Sequence, residues 1–197
     1  ALEGFSAARR RWLRPAMVAL VLILIAPLVP VVVPILSIPA YLRYQAHLPF
    51  PLPRTENGHY SSPLPQFYAD ELGWREMTAE AARAYAALPA AERADTALFA
   101  GNYGEAGAID FFGPRLGLPA AISPHQSYFL WGPRGYSGVR MIALSGDRAY
   151  WSRLYRRVTQ VGMKDRPYAL EHGPIWLCEE PRGWNLQDIW PRWKVWE

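Results

Sequence analysis

The sequence is poor in the residues that build disulfide frameworks and metal clusters. Its 197 residues include one cysteine, Cys178, and four histidines. A single cysteine excludes an internal disulfide and any cysteine-based metal cluster, and its apolar neighbours favour a buried thiol over a nucleophile. The histidines lack the i, i+4 spacing of a zinc site, so we expect neither a metal nor another cofactor.

Basic charge is scarce outside the first part of the chain. The net charge is +4, and residues 1–39 hold four arginines and one glutamate, which leaves 17 basic and 16 acidic residues for the remainder. Nucleic-acid binding depends on an extended basic surface that neutralises phosphates. Because the high pI comes from one short cluster, we expect no nucleic-acid partner.

Recognisable catalytic motifs are also missing. The sequence has no G-x-S-x-G elbow and no H-E-x-x-H pair. Glu105 and Asp110 lie five residues apart, which is about 140° around a helix, so these two carboxylates do not converge. The sequence alone identifies no catalytic residue.

An uncharged apolar stretch runs from Ala16 to Ile38, with Ser37 as its only polar residue. About 20 apolar residues suffice to cross the hydrocarbon core of a membrane as a helix. Basic residues precede this stretch, which predicts a cytoplasmic segment 1–15, a transmembrane helix 16–38 and a chain that continues outside. Its three prolines predict packing against other transmembrane helices, which would satisfy the freed carbonyls. We expect a lipid bilayer as a partner.

Proline and tryptophan mark the remaining segments. A proline-rich connector covers 39–65, an extracytoplasmic α/β domain covers 66–180 and a tryptophan-rich tail covers 181–197. The tail is consistent with either a membrane-interface segment or a cover over the domain. The order of elements predicts an α/β fold, a small three-layer sandwich with a mainly parallel or mixed sheet, preceded by one transmembrane helix.

Hydrophobic periodicity places the strands and helices of this domain. We expect strands at 96–100, 118–122 and 139–144, and a last strand over 168–178. Four apolar residues recur at helical spacing after Asp147, which predicts one helix that ends at Gly162; they are Trp151, Leu154, Val158 and Val161.

The segment 98–113, LFAGNYGEAGAIDFFG, predicts a β-turn-α unit at the carboxyl edge of the sheet. Ligands bind at this edge in open α/β sheets. Its glycines do not match the dinucleotide-binding fingerprint, and Glu105 in the first helical turn would repel a phosphate. Asn102, Tyr103 and Glu105 suit a hydroxyl-rich or cationic ligand. The alternative is a close-packed turn with a solvated glutamate.

Several phrases of the sequence resemble one bacterial domain family. They are LPQFYAD at 64–70, the LP-x-x-ER phrase at 88–93, FAGNYGEAGAIDFFG at 99–113 and SYFLWGPRGYSG at 127–138. Together they resemble the carboxyl-terminal soluble domain of bacterial membrane glycosyltransferases that are similar to protein O-mannosyltransferases (glycosyltransferase family 39). The resemblance implies a multi-span GT-C enzyme of the inner membrane, which takes a sugar from a polyprenyl-phosphate carrier and transfers it on the outer side.

That family has its catalytic carboxylates in the first extracytoplasmic loop of a long chain, and this sequence contains no such loop. The resemblance therefore implies a terminal domain without the catalytic centre. Its candidate contacts with the acceptor or the lipid-linked sugar are Asn102, Tyr103, Glu105, His125 and Trp131. The alternative function is a membrane-anchored extracytoplasmic binding or structural module without transferase activity.

Overall fold

The computed structural model describes residues 12–50 and 62–196. They divide into two units, with the boundary between Tyr68 and Ala69. Most of the predicted basic segment 1–15, part of the predicted connector 39–65 and the last residue of the tail lie outside the described residues.

The first unit begins with an apolar helix. Helix α1 (Leu13–Ile25) continues through a 3-10 turn (Ala26–Leu28) into α2 (Val29–Val32), and together they are long and apolar enough to cross a membrane. The helix stops short of the predicted end because Val33 precedes Pro34 and is extended. The 3-10 turn contains Pro27 and α2 contains Pro30, and neither proline can donate the usual helical hydrogen bond.

Helix α3 (Ile38–Gln45) follows the proline break. Its buried Tyr41 ring lies 4.4 Å from the ring of Tyr68. The Tyr68 hydroxyl lies within hydrogen-bond distance of the carbonyls of Pro30 and Val33, at 3.1 and 3.2 Å. These contacts connect the residues after the break to the end of the membrane-length helix.

The second unit alternates helices and strands. Helix α4 (Gln66–Ala69) spans the boundary between the units. The elements that follow are, in chain order, α5 (Trp74–Ala86), α6 (Ala90–Arg93), β1 (Thr96–Phe99), α7 (Tyr103–Phe112), α8 (Gln126–Trp131), β2 (Arg140–Ala143), α9 (Arg148–Leu154), β3 (Tyr155–Lys164), β4 (Gly173–Pro181) and α10 (Leu186–Ile189). Short 3-10 turns follow α7 and α10 at 113–116 and 190–192.

The strands form one mixed sheet in the order β1-β2-β4-β3. Strand β1 runs parallel to β2, with Leu98 opposite Ile142, and β4 runs antiparallel to both β2 and β3. Cys178 on β4 is fully buried, and this burial raises the pKa of its thiol to about 12. The cysteine is therefore a buried, protonated thiol, as its apolar neighbours predict.

Helices cover both faces of the sheet. On one face, α5 and α7 pack against the strands through a core that includes Met77, Leu98 and Ile109. On the other face, α9 and the tail pack through a second core that includes Phe99 and Trp151. Because side chains alternate between the faces of a strand, the neighbours Leu98 and Phe99 belong to different cores. The predicted three-layer α/β fold with a mixed sheet is confirmed.

The prediction of one helix up to Gly162 is wrong, because α9 ends at Leu154. The next ten residues form β3, which pairs with β4 and has one irregularity between Gln160 and Gly162. Val158 and Val161 fit the helical period, but β-branched side chains also favour strands. Pairing with β4 therefore decides between two structures that the local sequence allows.

Two smaller differences concern the predicted strands. Residues 118–122 make one isolated bridge, between Ile122 and Phe99, instead of a full strand. The neighbouring Ala121 N–H donates to the Asp110 carboxylate at 2.7 Å. This N–H is therefore not available to pair with a neighbouring strand. The last strand starts at Gly173 instead of residue 168. The aromatic segment 126–131 forms helix α8.

The tryptophan-rich tail packs over the second core. The Trp184 indole donates to the carbonyl of Leu154 at 2.7 Å, and the Trp190 indole donates to the carbonyl of Phe129 at 3.0 Å. Of the four tryptophans in the described part of the tail, Trp196 at its end is the exposed one, at 57%. Of the two alternatives for the tail, the cover over the domain is the one found.

Candidate functional site

The β1–α7 turn lies at the carboxyl edge of the sheet, as predicted. Asn102 is the N-cap of α7, and its side-chain oxygen accepts the Glu105 N–H at 2.9 Å. Gly101 packs so closely against Ser145, which follows β2, that a Cβ added at Gly101 would overlap the serine hydroxyl. The turn is therefore fixed by a helix cap and by a close approach that requires glycine.

Glu105 is fully buried in the first turn of α7. One carboxylate oxygen accepts the Gly101 N–H at 2.8 Å, and the other accepts a hydrogen bond from the Lys164 ammonium. Burial raises the pKa of Glu105, and the nearby Lys164 charge opposes this shift. The alternative of a solvated glutamate in this turn is wrong, because the side chain has exchanged water for partners inside the protein.

Two further charged residues complete what we call the ionic cluster, which consists of Asn102, Glu105, Lys164 and Glu171. Lys164, at the end of β3, is 5% exposed, and its ammonium lies 3.6 Å from a Glu171 oxygen. The other Glu171 oxygen accepts the Asn102 amide at 2.8 Å. The cluster joins the β1–α7 turn, the end of β3 and the loop before β4 through one buried cation.

Sequence reasoning missed Lys164 and Glu171. Lys164 lies 59 residues from Glu105 in the chain, and no local pattern connects them. Assigning 155–164 as a strand predicts the contact between Lys164 and Glu105, because the end of β3 then lies at the sheet edge that carries the β1–α7 turn.

His125 joins the same edge from the amino end of α8. Its Nδ1 accepts the Tyr103 N–H at 3.3 Å, and the two rings lie 5.1 Å apart, centroid to centroid. His125 is 8% exposed and this burial lowers the pKa of its imidazole. The neutral ring that accepts at Nδ1 carries its proton at Nε2, which has no hydrogen-bond partner among the described residues.

Trp131 does not join the other four candidates. It lies at the opposite end of α8 from His125, which is about 9 Å along the helix. Its ring lies 4.5 Å from that of Tyr128, and the Arg134 guanidinium lies over it at 5.7 Å. The structure therefore brings Asn102, Tyr103, Glu105 and His125 together and places Trp131 elsewhere.

A small cleft of about 60 Å³ adjoins the ionic cluster. Lys164 and Glu171 line it together with acidic and basic side chains of α5 and the β3–β4 loop, namely Glu76, Glu80, Asp165 and Arg166. Among the residues that the structure describes, no group of three or more potential metal ligands converges here or elsewhere. The groups that this edge offers to a ligand are the Tyr103 ring, which is 55% exposed, and the polar rim of the cleft.

Comparisons of the chain with protein-family models, with curated proteins and with solved structures give no match. The arrangement of the candidate residues therefore has to be interpreted from its own chemistry. The buried carboxylate and ammonium hold the turn in place, whereas the exposed tyrosine ring beside polar groups suits the apolar face and the hydroxyl groups of a sugar.

Proposed function

We propose that this chain is the carboxyl-terminal soluble domain of an integral-membrane glycosyltransferase, which transfers a sugar from a polyprenyl-phosphate carrier. The catalytic centre lies in a part of the enzyme outside this chain. The observation that carries the proposal is the meeting of the two longest family-like phrases, 99–113 and 127–138, in one contact region: the Tyr128 hydroxyl donates to Asp110 at 3.1 Å, and Arg134 lies 3.5 Å from the same carboxylate.

The membrane part of the proposal rests on the helix from Leu13 to Val32, which is long and apolar enough to cross a bilayer. Arginines precede this helix in the sequence, and the positive-inside rule assigns a basic flank to the cytoplasm. The proposed location is accordingly the bacterial inner membrane, with the amino terminus in the cytoplasm and the second unit in the periplasm. The helix has other transmembrane helices of the same enzyme as its neighbours.

The proposed role of the second unit is to bind the acceptor or the sugar of the lipid-linked donor at the β1–α7 edge. The Tyr103 ring supplies a stacking surface for a sugar ring. His125 lies directly beside Tyr103, and the ionic cluster holds the backbone of the turn, so the tyrosine is presented from a rigid support. Asn102 and Glu105 act in this proposal as positioning residues.

The test is a transfer assay on the native membrane polypeptide that contains this chain, supplied with polyprenyl-phosphate-linked sugars. We expect transfer, and we expect Tyr103→Ala to lower kcat/KM by about three- to tenfold through the lost stacking. The matched control is Tyr150→Ala, because Tyr150 is 42% exposed on α9, which packs on the other face of the sheet. Equal activities of the two variants would contradict the binding role, and an inactive native polypeptide would contradict the transferase.

One observation favours the alternative, a membrane-anchored extracytoplasmic module without transferase activity. The second unit has two hydrophobic cores of its own, so it has the architecture of a domain that folds without a catalytic partner. The gene sequence upstream of Ala1 separates the two proposals. Further hydrophobic spans with an acidic first loop support the transferase, and a start codon shortly upstream of Ala1 supports the module.

A further inference from the structure

An exposed apolar patch lies at the carboxyl ends of α7 and α8. We call it the aromatic patch and define it by Phe111, Leu130 and Trp131, which are 75%, 70% and 57% exposed. Phe111 and Leu130 are more exposed than any large apolar residue of the membrane-length helix, where Ile23 reaches 68%. Large apolar side chains exposed to this degree mark a surface that contacts something outside the folded chain.

Two contacts hold these helices together. Their amino ends meet where the Tyr103 N–H donates to His125. Further along the two helices, the Asp110 carboxylate of α7 accepts the hydroxyl of Tyr128 on α8. Phe111 follows directly after Asp110, and Trp131 packs against Tyr128. Phe111 and Trp131 therefore flank the contact between Asp110 and Tyr128, each at the carboxyl end of its helix.

Arginines border the patch. The Arg134 guanidinium lies over the Trp131 ring, and the Arg75 guanidinium lies 4.8 Å from the ring centroid of Phe112, the neighbour of Phe111. Arg115 lies in the 3-10 turn that follows α7 and is exposed. Asp110 and Arg134 form an ion pair and offset each other's charge, which leaves Arg75 and Arg115 as the charges at the border. The border of the patch is therefore basic.

We propose that the aromatic patch binds the interfacial region of a lipid bilayer, with its bordering arginines towards anionic headgroups. Tryptophan and arginine are favoured at that depth, because their rings and stems are apolar and their polar ends remain hydrated. This inference rests on the membrane part of the proposed function: with the membrane-length helix inserted, the second unit is tethered to the bilayer, so even weak binding by the patch occurs at high effective concentration. This proposal does not depend on sugar transfer.

Three other exposed apolar residues of the second unit provide an internal contrast. Val139, Tyr150 and Met163 are 42%, 42% and 45% exposed. They belong to separate segments, the residue before β2, α9 and β3, and single exposed apolar residues of this kind are ordinary. Tyr150 is the best control position because α9 contributes to the core on the other face of the sheet from α7.

The experiment uses an environment-sensitive nitrobenzoxadiazole label on an introduced cysteine. The native Cys178 thiol is fully buried and stays protonated, so it does not compete for the label. Leu130→Cys carries the label in the patch, and Tyr150→Cys carries it at the control position. The full chain is reconstituted into phosphatidylcholine vesicles with and without phosphatidylglycerol, and circular dichroism verifies that both variants fold.

We expect the label at Leu130 to shift to shorter wavelengths and to gain several-fold in intensity, more strongly with phosphatidylglycerol. The control label should stay in a water-like environment. Arg115→Gln in the Leu130→Cys background should lower the response to phosphatidylglycerol by about fivefold at low salt. Identical emission at both positions overturns the proposal. A blue shift that depends on the protein-to-lipid ratio overturns it as well, because it indicates contact with a second copy of the chain.

Discussion

The two ends of helix α7 have opposite distributions of polar and apolar groups. At the amino end, the charged Glu105 is fully buried, whereas at the carboxyl end the apolar Phe111 is 75% exposed. The buried charge has its partners inside the protein, in Gly101 and Lys164. The exposed Phe111 ring is not covered in this way by other described residues. The buried charge of Glu105 is thus explained by partners inside the protein. The exposure of Phe111 is explained by the proposed partner outside it.

The largest expected effect comes from breaking the ionic cluster. Lys164→Met removes the cation and leaves Glu105 as a buried charge, which should lower the free energy of unfolding by about 3–5 kcal/mol. The measurement is denaturant unfolding of the full chain in detergent. The matched control is Lys194→Met, because Lys194 is exposed and its ammonium lies over the Trp196 ring; it should cost no more than about 1 kcal/mol. Equal losses in both variants would show that the cluster is not a structural support.

A smaller effect is expected from the pH dependence of His125. Burial lowers the pKa of this imidazole below its ordinary value of 6.5, so the unfolded chain takes up the proton first as the pH falls. Stability should therefore fall below pH 6.5, with a slope of at most about 1.4 kcal/mol per pH unit from this one group. His125→Gln should remove that part of the slope and keep an acceptor for Tyr103. Parallel pH profiles for the two proteins would contradict the burial of a neutral histidine.

How much of this site follows from the sequence can be seen by comparing Asn102 with Lys164. The cap, the turn and its place at the sheet edge depend on neighbouring residues, so the local sequence predicts them. The burial of Glu105 depends on Lys164, which reaches the turn only because 155–164 is a strand. The misassigned helix and the missed partner of Glu105 thus have one cause, namely that strand pairing is decided by β4, far away in the sequence.

The same reasoning applies to the aromatic patch. The aromatic residues of 126–131 are evident in the sequence, where they are consistent with either a core or a binding surface. Which of them are exposed depends on the packing of α8 between its neighbours: Phe129 stacks on Trp190, whereas Leu130 is left in solvent. Tertiary contacts decide this, and the local pattern does not contain them.

The smallest effect on stability is expected at the carboxyl end of α7. Phe111→Ser removes a side chain that is 75% exposed, so the free energy of unfolding should change by less than about 0.5 kcal/mol. An anchored chain sediments with vesicles whether or not the patch binds them. The measurement is therefore the emission of the label at Leu130 in vesicles that contain phosphatidylglycerol. We expect the blue shift to decrease. A large loss of stability with an unchanged shift would make Phe111 a core residue.

Hydrogen–deuterium exchange of the full chain tests both ends of α7 in one measurement. The chain is compared in phosphatidylcholine vesicles and in vesicles that also contain phosphatidylglycerol. We expect amides of 101–105 to be equally protected in both, because their partners are internal, and amides of 109–116 and 128–134 to exchange more slowly with the anionic lipid. Equal exchange at the carboxyl ends of α7 and α8 in the two lipids would contradict the assignment of the aromatic patch to the bilayer surface.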